Sequence, residues 1–505
     1  MSLVPDPSSR RWTLGVVSAA TALLLLDVTV VNVALPAIGE DLDASFSELQ
    51  WVIDAYALAL AVVLLTAGVL ADRIGRRKVF SAGLVVFTLA SLLCAAAGSP
   101  VVLDLARALQ GFGGAAMFAT SLALLANEFP PEDRGLALGV WGAISGGALA
   151  VGPLVGGALV DGPGWRWVFL LNVPLGLLLL VATARYIGES RDERAGPADW
   201  PGAATFSVAA FLLTFALIRG NAEGWGSVPI VASFGAGAAA LVAFAVLETR
   251  SRHPMLDPRL FRIPAFTGTA VVAFAQSFAL YPMFLFLALY FQQVLEFTAW
   301  ETGLRLLPVT LVLFAVAPIA GKLTGRIPIR VMLAAGLGLI GVGLLLMRGL
   351  EPGSEWTALL PGFVVGGLGI GVISPALAAA MVGVLSVDRA GLASGINNTF
   401  RQLGIAVGIA GLGAVFQHRI AGEVETALAA AGEPGAAGLG VAVGEGRADD
   451  VAASLADAHL PVLAEATRTG FVAGLDTIFL VAALTALGAV PAALVLLRRM
   501  GRDSL

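Results

Sequence analysis

Residues 12–33 read WTLGVVSAATALLLLDVTVVNV, and Asp27 is the single ionisable side chain among them. A helix of that length rises about 33 Å, enough to cross the roughly 30 Å hydrocarbon core of a bilayer. The stretch therefore reads as a membrane-spanning helix with a carboxylate inside it. An acid there costs about 2.5–3.5 kcal/mol on the lenient insertion scale, and low dielectric disfavours the charged form of any carboxylate. A residue held at such cost points to function. The preceding Ser9-Arg10-Arg11 faintly resembles a twin-arginine export signal. The apolar run is longer than a signal core and contains Asp27, so Arg10 and Arg11 read instead as cytoplasmic anchors.

The rest of the chain extends this reading. Its 505 residues are 58% hydrophobic and 13% charged, with a mean hydropathy of +0.89. Soluble domains carry roughly 25% charged residues, so this is a polytopic membrane protein rather than a globule on one anchor. The net charge of −5 is spread over loops, and no basic, aromatic-interleaved stretch suits nucleic acid. The only cysteine, Cys94, lies in an apolar run, which excludes an internal disulfide and a cysteine metal cluster. His253, His418 and His459 all fall in loops, so proton handling within the membrane must rest on carboxylates.

Fourteen segments are apolar over enough length to span: about 12–33, 49–71, 79–98, 101–125, 135–160, 166–187, 199–218, 228–248, 265–291, 302–321, 329–349, 356–382, 394–417 and 471–497. Basic residues cluster in alternate loops, at Arg73, Arg76, Arg77 and Lys78, at Arg191 and Arg194, at Lys322, Arg326 and Arg330, at Arg389, and at Arg498, Arg499 and Arg502. Loops 34–48, 98–100 and 292–299 contain no Lys or Arg. The positive-inside rule then puts both termini in the cytoplasm. Residues 418–470 are too polar to span, carrying Glu423, Glu425 and Asp450 among others. They are expected to form an extracellular segment with short helices near 420–431 and 449–458, either a lid or a tether.

A parallel repeat divides the chain. GVLADRIGRRKVF from Gly68 and GKLTGRIPIRVML from Gly321 occupy the same point of a six-span unit. Repeated halves related about the membrane normal are a transporter pattern. Six plus six leaves spans seven and eight as an inserted pair. The expected fold is all-α and polytopic, with an N-terminal six-helix bundle at 1–187, two additional helices at 188–264 and a C-terminal six-helix bundle at 265–505.

Seven motifs, in order, are similar to those of the fourteen-span drug:proton antiporter branch of the major facilitator superfamily. They are LDVTVVNVALPAI (Leu26–Ile38), GVLADRIGRRKVF (Gly68–Phe80), LDLARALQGFGGAAM (Leu103–Met117), GALAVGPLVGGAL (Gly147–Leu159), WRWVFLLNVPLG (Trp165–Gly176), GLRLLP (Gly303–Pro308) and NNTFRQLG (Asn397–Gly404). The resemblance covers nearly the whole chain. It implies two pseudo-symmetric six-helix bundles plus two inserted helices, and export by alternating access. It also implies that Asp72, with Arg73, Gly75 and Arg76, forms a conformational latch facing the start of span thirteen, a favourable helix-dipole contact. The competing reading is that these charges only set topology. The second-half copy has Thr324 and Gly325 near the corresponding position instead of the acid, so the latch is expected on one side only. In the fifth-span motif, Gly152-Pro153 is expected to kink the helix, while Gly156 and Gly157 admit a close neighbour.

Asp27, Asp54, Arg107 and Asp476 stand inside spans, all placed in the outer half by counting residues. Buried Arg107 stays protonated and requires an anionic partner, with Asp27 first and Asp104 second. A carboxylate whose environment alternates between a neighbouring cation and a dry site can bind and release a proton. The four are the candidate proton-coupling residues; for Asp27 the competing reading is a structural pair with Arg107. The ninth span is aromatic-rich, and Gln276, Phe278 and Tyr281 with Asn397, Asp27 and Asp54 are the candidate cargo contacts. Arg401 reads as a contact between the halves.

The expected function is proton-coupled export of hydrophobic molecules, cationic ones included, without cofactor or metal and driven by the proton gradient. Competing readings are a dedicated exporter of one antibiotic, lipid or metabolite, and a non-antiport transporter. An enzyme is disfavoured, since no catalytic constellation is present. ATP drive is disfavoured too, because Lys78 and Lys322 are the only lysines and neither sits in a phosphate-binding loop. Partners are small molecules, protons and membrane lipids, with a monomer expected. Arginine in place of lysine, with abundant Ala and Gly, points to a bacterial plasma membrane.

Overall fold

A computed structural model describes residues 7–44, 46–191, 199–251, 254–384, 390–444 and 447–498. The basic residues Arg194, Arg389, Arg499 and Arg502 lie outside the described residues. Fourteen long helices follow one another among the described residues. They are α1 (Pro7–Leu42), α2 (Phe46–Ile74), α3 (Arg76–Ala95), α4 (Pro100–Glu128), α5 (Pro131–Asp161), α6 (Arg166–Tyr186), α7 (Trp200–Glu223), α8 (Val228–Arg250), α9 (Pro264–Leu289), α10 (Ala299–Leu323), α11 (Ile329–Leu346), α12 (Leu360–Val384), α13 (Ala390–Ala430) and α14 (Leu460–Leu496). Thirteen are long and apolar enough to cross a membrane, and the 31-residue α5 completes the set.

Packing repeats between the halves. In the first, α2 and α3 pack on α4, α1 on α5, and α6 on α1 and α3; in the second, α10 and α11 pack on α12, α9 on α13, and α14 on α9 and α11. The same pairings thus recur after the inserted α7 and α8 are removed from the count, which is the pseudo-symmetry of a duplicated unit. The halves meet along two seams, α2 with α13 and α5 with α10. The α5–α10 seam is built from missing side chains. A Cβ on Gly135 would meet the carbonyl of Gly321 at 2.2 Å, and one on Gly139 would meet that of Ala317 at 2.6 Å. Helices without a hydrophobic drive to associate in lipid gain from such close backbone approach. The inserted pair is not peripheral to this arrangement, since α7 lies against both α2 and α13 and Ser207 on α7 donates to the carbonyl of Val62 at 2.9 Å.

Several helices outrun the apolar segments that betray them. The loop expected at 34–48 is mostly the end of α1, which continues to Leu42. The polar segment at 418–470 is largely ordered: α13 runs through to Ala430, so the short helix expected at 420–431 is its extension, and α14 begins at Leu460 rather than near 471. Between them, helices 436–444 and 448–454 fold back. Gly440 and Gly444 face the carbonyls of Ala421 and Gln417 so closely that a Cβ would come within 2.5 and 2.7 Å. Val424, Leu428, Val443, Val451 and Leu463 are buried in the resulting small core, and His459 pairs with Glu433. Hydropathy marks the bilayer slab, whereas hydrogen bonding continues a helix into water wherever a packing partner exists.

Candidate functional site: a buried ion cluster and a central cavity

Asp27 on α1 is enclosed by four other helices. Arg107 of α4 donates to its Oδ2 at 2.6 Å, Gln110 of α4 to its Oδ1 at 2.9 Å and Asn172 of α6 to the same oxygen at 2.7 Å. Arg107 also bonds the Gln110 amide oxygen and the Val52 carbonyl of α2, and its guanidinium lies 4.4 Å from the Tyr56 ring centroid. Ser91 of α3 accepts from Gln110 at 2.9 Å. Both charged side chains are almost fully excluded, at 0% and 1% exposed. Every charge in the cluster has a hydrogen-bond partner, which is what makes a buried pair tolerable. Of the two expected partners of Arg107, geometry selects Asp27. Gln110 and Ser91 are not singled out by the sequence reading, although Gln110, one turn from Arg107 on α4, is a readable signal.

The other intramembrane acids stand elsewhere. Asp54 on α2 is buried and faces the inserted α7, with Arg219 3.8 Å away. Arg219 in turn bonds Glu223 at 3.0 Å and lies one residue past the segment expected to span. Asp476 on α14 is partly exposed, takes a 2.7 Å bond from Arg348 and caps the Gly349 N–H at 2.8 Å. It braces the α11–α12 turn.

The loop between α2 and α3 is tied to the first half. Asp72 and Arg76 pair at 2.9 Å. Gly75 has φ +125°, which an L side chain rarely adopts, and a Cβ there would overlap the Glu189 carboxylate at 2.6 Å. Glu189 accepts from the Arg77 N–H at 3.1 Å. Arg73 is within electrostatic reach of Asp199 and Glu248 at the base of the inserted pair. The expected latch partner, the first turn of α13, has side chains outside the described residues. On α5, a Cβ at Gly152 would overlap the Thr29 hydroxyl at 1.7 Å and one at Gly156 would press Val33 and Val30. These glycines hold α5 against α1. Gly157 is half-buried, and the side chain of Pro153 lies outside the described residues.

A cavity lies between the halves, enclosing about 790 Å³ with its opening included. Trp141 and Ser145 of α5 form one wall; Gln276, Tyr281 and Phe284 of α9, helices α10 and α12, and Asn397 and Arg401 of α13 form the rest. Trp141 is held in place by its indole N–H, which donates to Thr21 at 3.0 Å. Of the expected cargo contacts, Gln276, Tyr281 and Asn397 line this space and Phe278, Asp27 and Asp54 do not. Phe278 stacks on Phe274 at 6.1 Å between centroids. The carboxylate of Asp27 is fully engaged by its donors, and that of Asp54 points to α7.

A repeated bundle of spanning helices around a central, mostly apolar cavity is the architecture of a membrane transporter. A sequence profile of the Major Facilitator Superfamily matches residues 17–409. The methylenomycin A resistance protein of Streptomyces coelicolor is 38% identical over 418 residues, 82% of this chain and 88% of that protein. The tetracenomycin C resistance and export protein of Streptomyces glaucescens is 34% identical over 494 residues, 96% and 91% of the respective chains, and the puromycin resistance protein of Streptomyces alboniger is 39% identical over 417 residues, 81% and 82%. The crystal structure of the human organic anion transporter MFSD10 shares the fold at a TM-score of 0.61 and 16% identity, covering 95% of this chain and all of that one. The chain belongs to the Major Facilitator Superfamily.

Proposed function

We propose that this protein is a proton-coupled antiporter that exports small hydrophobic molecules, antibiotics among them, across the bacterial plasma membrane, with both termini in the cytoplasm. The observation that carries the coupling is the sealed Asp27–Arg107 pair. Protonating Asp27 removes the charge that Arg107 needs and turns one acceptor oxygen into a donor, so proton uptake and the observed α1–α4 contact oppose each other. Thr29, two residues from Asp27, fills the notch at Gly152 of α5, and α5 forms a seam with the second half. A proton on α1 therefore bears on the helix that must move for access to alternate. The relatives named for antibiotic resistance and export support the direction and cargo class.

The test uses purified protein in liposomes containing a pH dye. Under an imposed proton gradient, tetracenomycin C should elicit proton flux in the wild type and none in Asp27→Asn. Flux that persists unchanged in Asp27→Asn removes Asp27 from the coupling; tetracenomycin C movement without any proton flux removes antiport.

A further inference from the structure

The cavity carries a sign, and it is positive. Among its lining residues Arg401 is the only charged side chain and none is a carboxylate. Arg401 donates to the Tyr281 hydroxyl, and its guanidinium is flanked by the rings of Phe118 at 5.9 Å and Tyr281 at 5.8 Å. No carboxylate of the described residues pairs with it, and the Tyr281 hydroxyl is its only hydrogen-bond partner among them. A guanidinium is always protonated and presents five donors in a planar fork. Here one is engaged by a neutral oxygen, and the side chain lines the space. Beside it, the Asn397 side-chain oxygen is buried without a partner, on a residue only 2% exposed.

We propose that this cavity selects flat, apolar cargo bearing an anionic group of the carboxylate or sulfonate class, received by Arg401. Asn397 and Gln276 read a second polar atom. The aromatic faces of Trp141, Tyr281 and Phe284 take the ring system. The inference rests on the efflux reading above and narrows its cargo. The cationic cargo that intramembrane acids would favour lacks a counter-charge here, because those acids face other helices. A bidentate guanidinium–carboxylate contact in a water-poor site is both strong and directional, so it discriminates by charge as well as shape.

The protein in phosphatidylcholine nanodiscs is titrated calorimetrically with three ligands on one ring system: anthraquinone-2-carboxylate, 2-(aminomethyl)anthraquinone and uncharged 2-methylanthraquinone. The acid should bind at least about tenfold more tightly than the amine, as charge-assisted bonding requires. Arg401→Gln should bring the two within about twofold of each other, while Arg401→Lys keeps part of the preference because charge remains and the fork is lost. Binding of the uncharged ligand, equal in all three proteins, shows that the variants are folded. An amine that binds as tightly as the acid, a preference undiminished in Arg401→Gln, or no binding of any of the three overturns the proposal. Proton flux driven by tetracenomycin C, a polycyclic ligand without an amine, in the liposomes described above reports on the antiport reading independently: flux with an amine preference sinks the anion site alone, and acid preference without flux sinks the coupling alone.

Discussion

At the scale of single residues, buried Arg107 and half-buried Arg401 have opposite settings, and their magnitudes decide their roles. Arg107 is matched to Asp27 and saturated, so removing either partner leaves an isolated charge, at a cost of about 3–5 kcal/mol. Arg107→Ala should lower the melting temperature and abolish proton flux. Asp27→Asn should abolish flux but melt closer to wild type, because the amide oxygen still accepts one bond from the guanidinium. Arg107→Lys should retain part of both, since one ammonium cannot reach Asp27, Gln110 and Val52 together. Asn172→Ala removes one donor to Asp27 and should cost about 1–3 kcal/mol; a thermal melt in detergent checks all four, and an undiminished Arg107→Ala would refute the pairing. Arg401 is unmatched. A cation held about 6 Å from it at an effective dielectric near 20 is repelled by about 3 kcal/mol, more than the roughly 0.5–2 kcal/mol a ring face returns. By that balance the proposed anion site disfavours the cations that a count of intramembrane acids would favour. The acids were legible as ionisable residues in apolar runs, but which way each points was not: Asp54 and Asp476 face Arg219 and Arg348, on helices remote in sequence.

Among the elements, α5 couples α1 to the second half, because it touches α1 through Gly152 and Gly156 and α10 through Gly135 and Gly139. The first pair lies within a motif recognisable in the chain. The second does not, and only the crossing with Gly321 shows why a side chain is absent there. Gly321→Val should cost about 1–3 kcal/mol in the conformation that brings α5 and α10 together, and so bias the protein away from it. A cysteine introduced at the cavity residue Ser145 should then label faster with a maleimide; native Cys94 is buried and gives little background. Unchanged labelling with unchanged transport would mean that the seam tolerates separation. Helix ends were the least legible feature. The polar tails of α13 and α14 continue because neighbours cover them, and that of α1 does so even through Pro36.

For the molecule as a whole, the segment between α13 and α14 is a packed cap and not a tether. Deleting 436–444 should expose Val424 and Leu428 and lower the melting temperature by several degrees, an effect of a few kcal/mol for lost buried aliphatic side chains; a loose segment would leave the melt unmoved. The inserted α7 and α8 are similarly integrated, and Arg219→Ala should leave Asp54 buried without its cation and destabilise the α2–α7 contact, read by the same melt. The sequence by itself determined the number and order of the spans, the duplicated six-helix unit, the family resemblance and the presence of an acid inside the apolar run of α1. These follow from hydropathy, loop charge and local motifs, which are properties of neighbouring residues. The tertiary structure alone decided that Asp27 is sealed by Arg107, Gln110 and Asn172, that the central cavity lies away from it, and that the charge lining that cavity is Arg401. Those facts depend on which faces of distant helices meet, and a helix with ionisable and aromatic residues on several faces does not reveal its neighbours until it is packed.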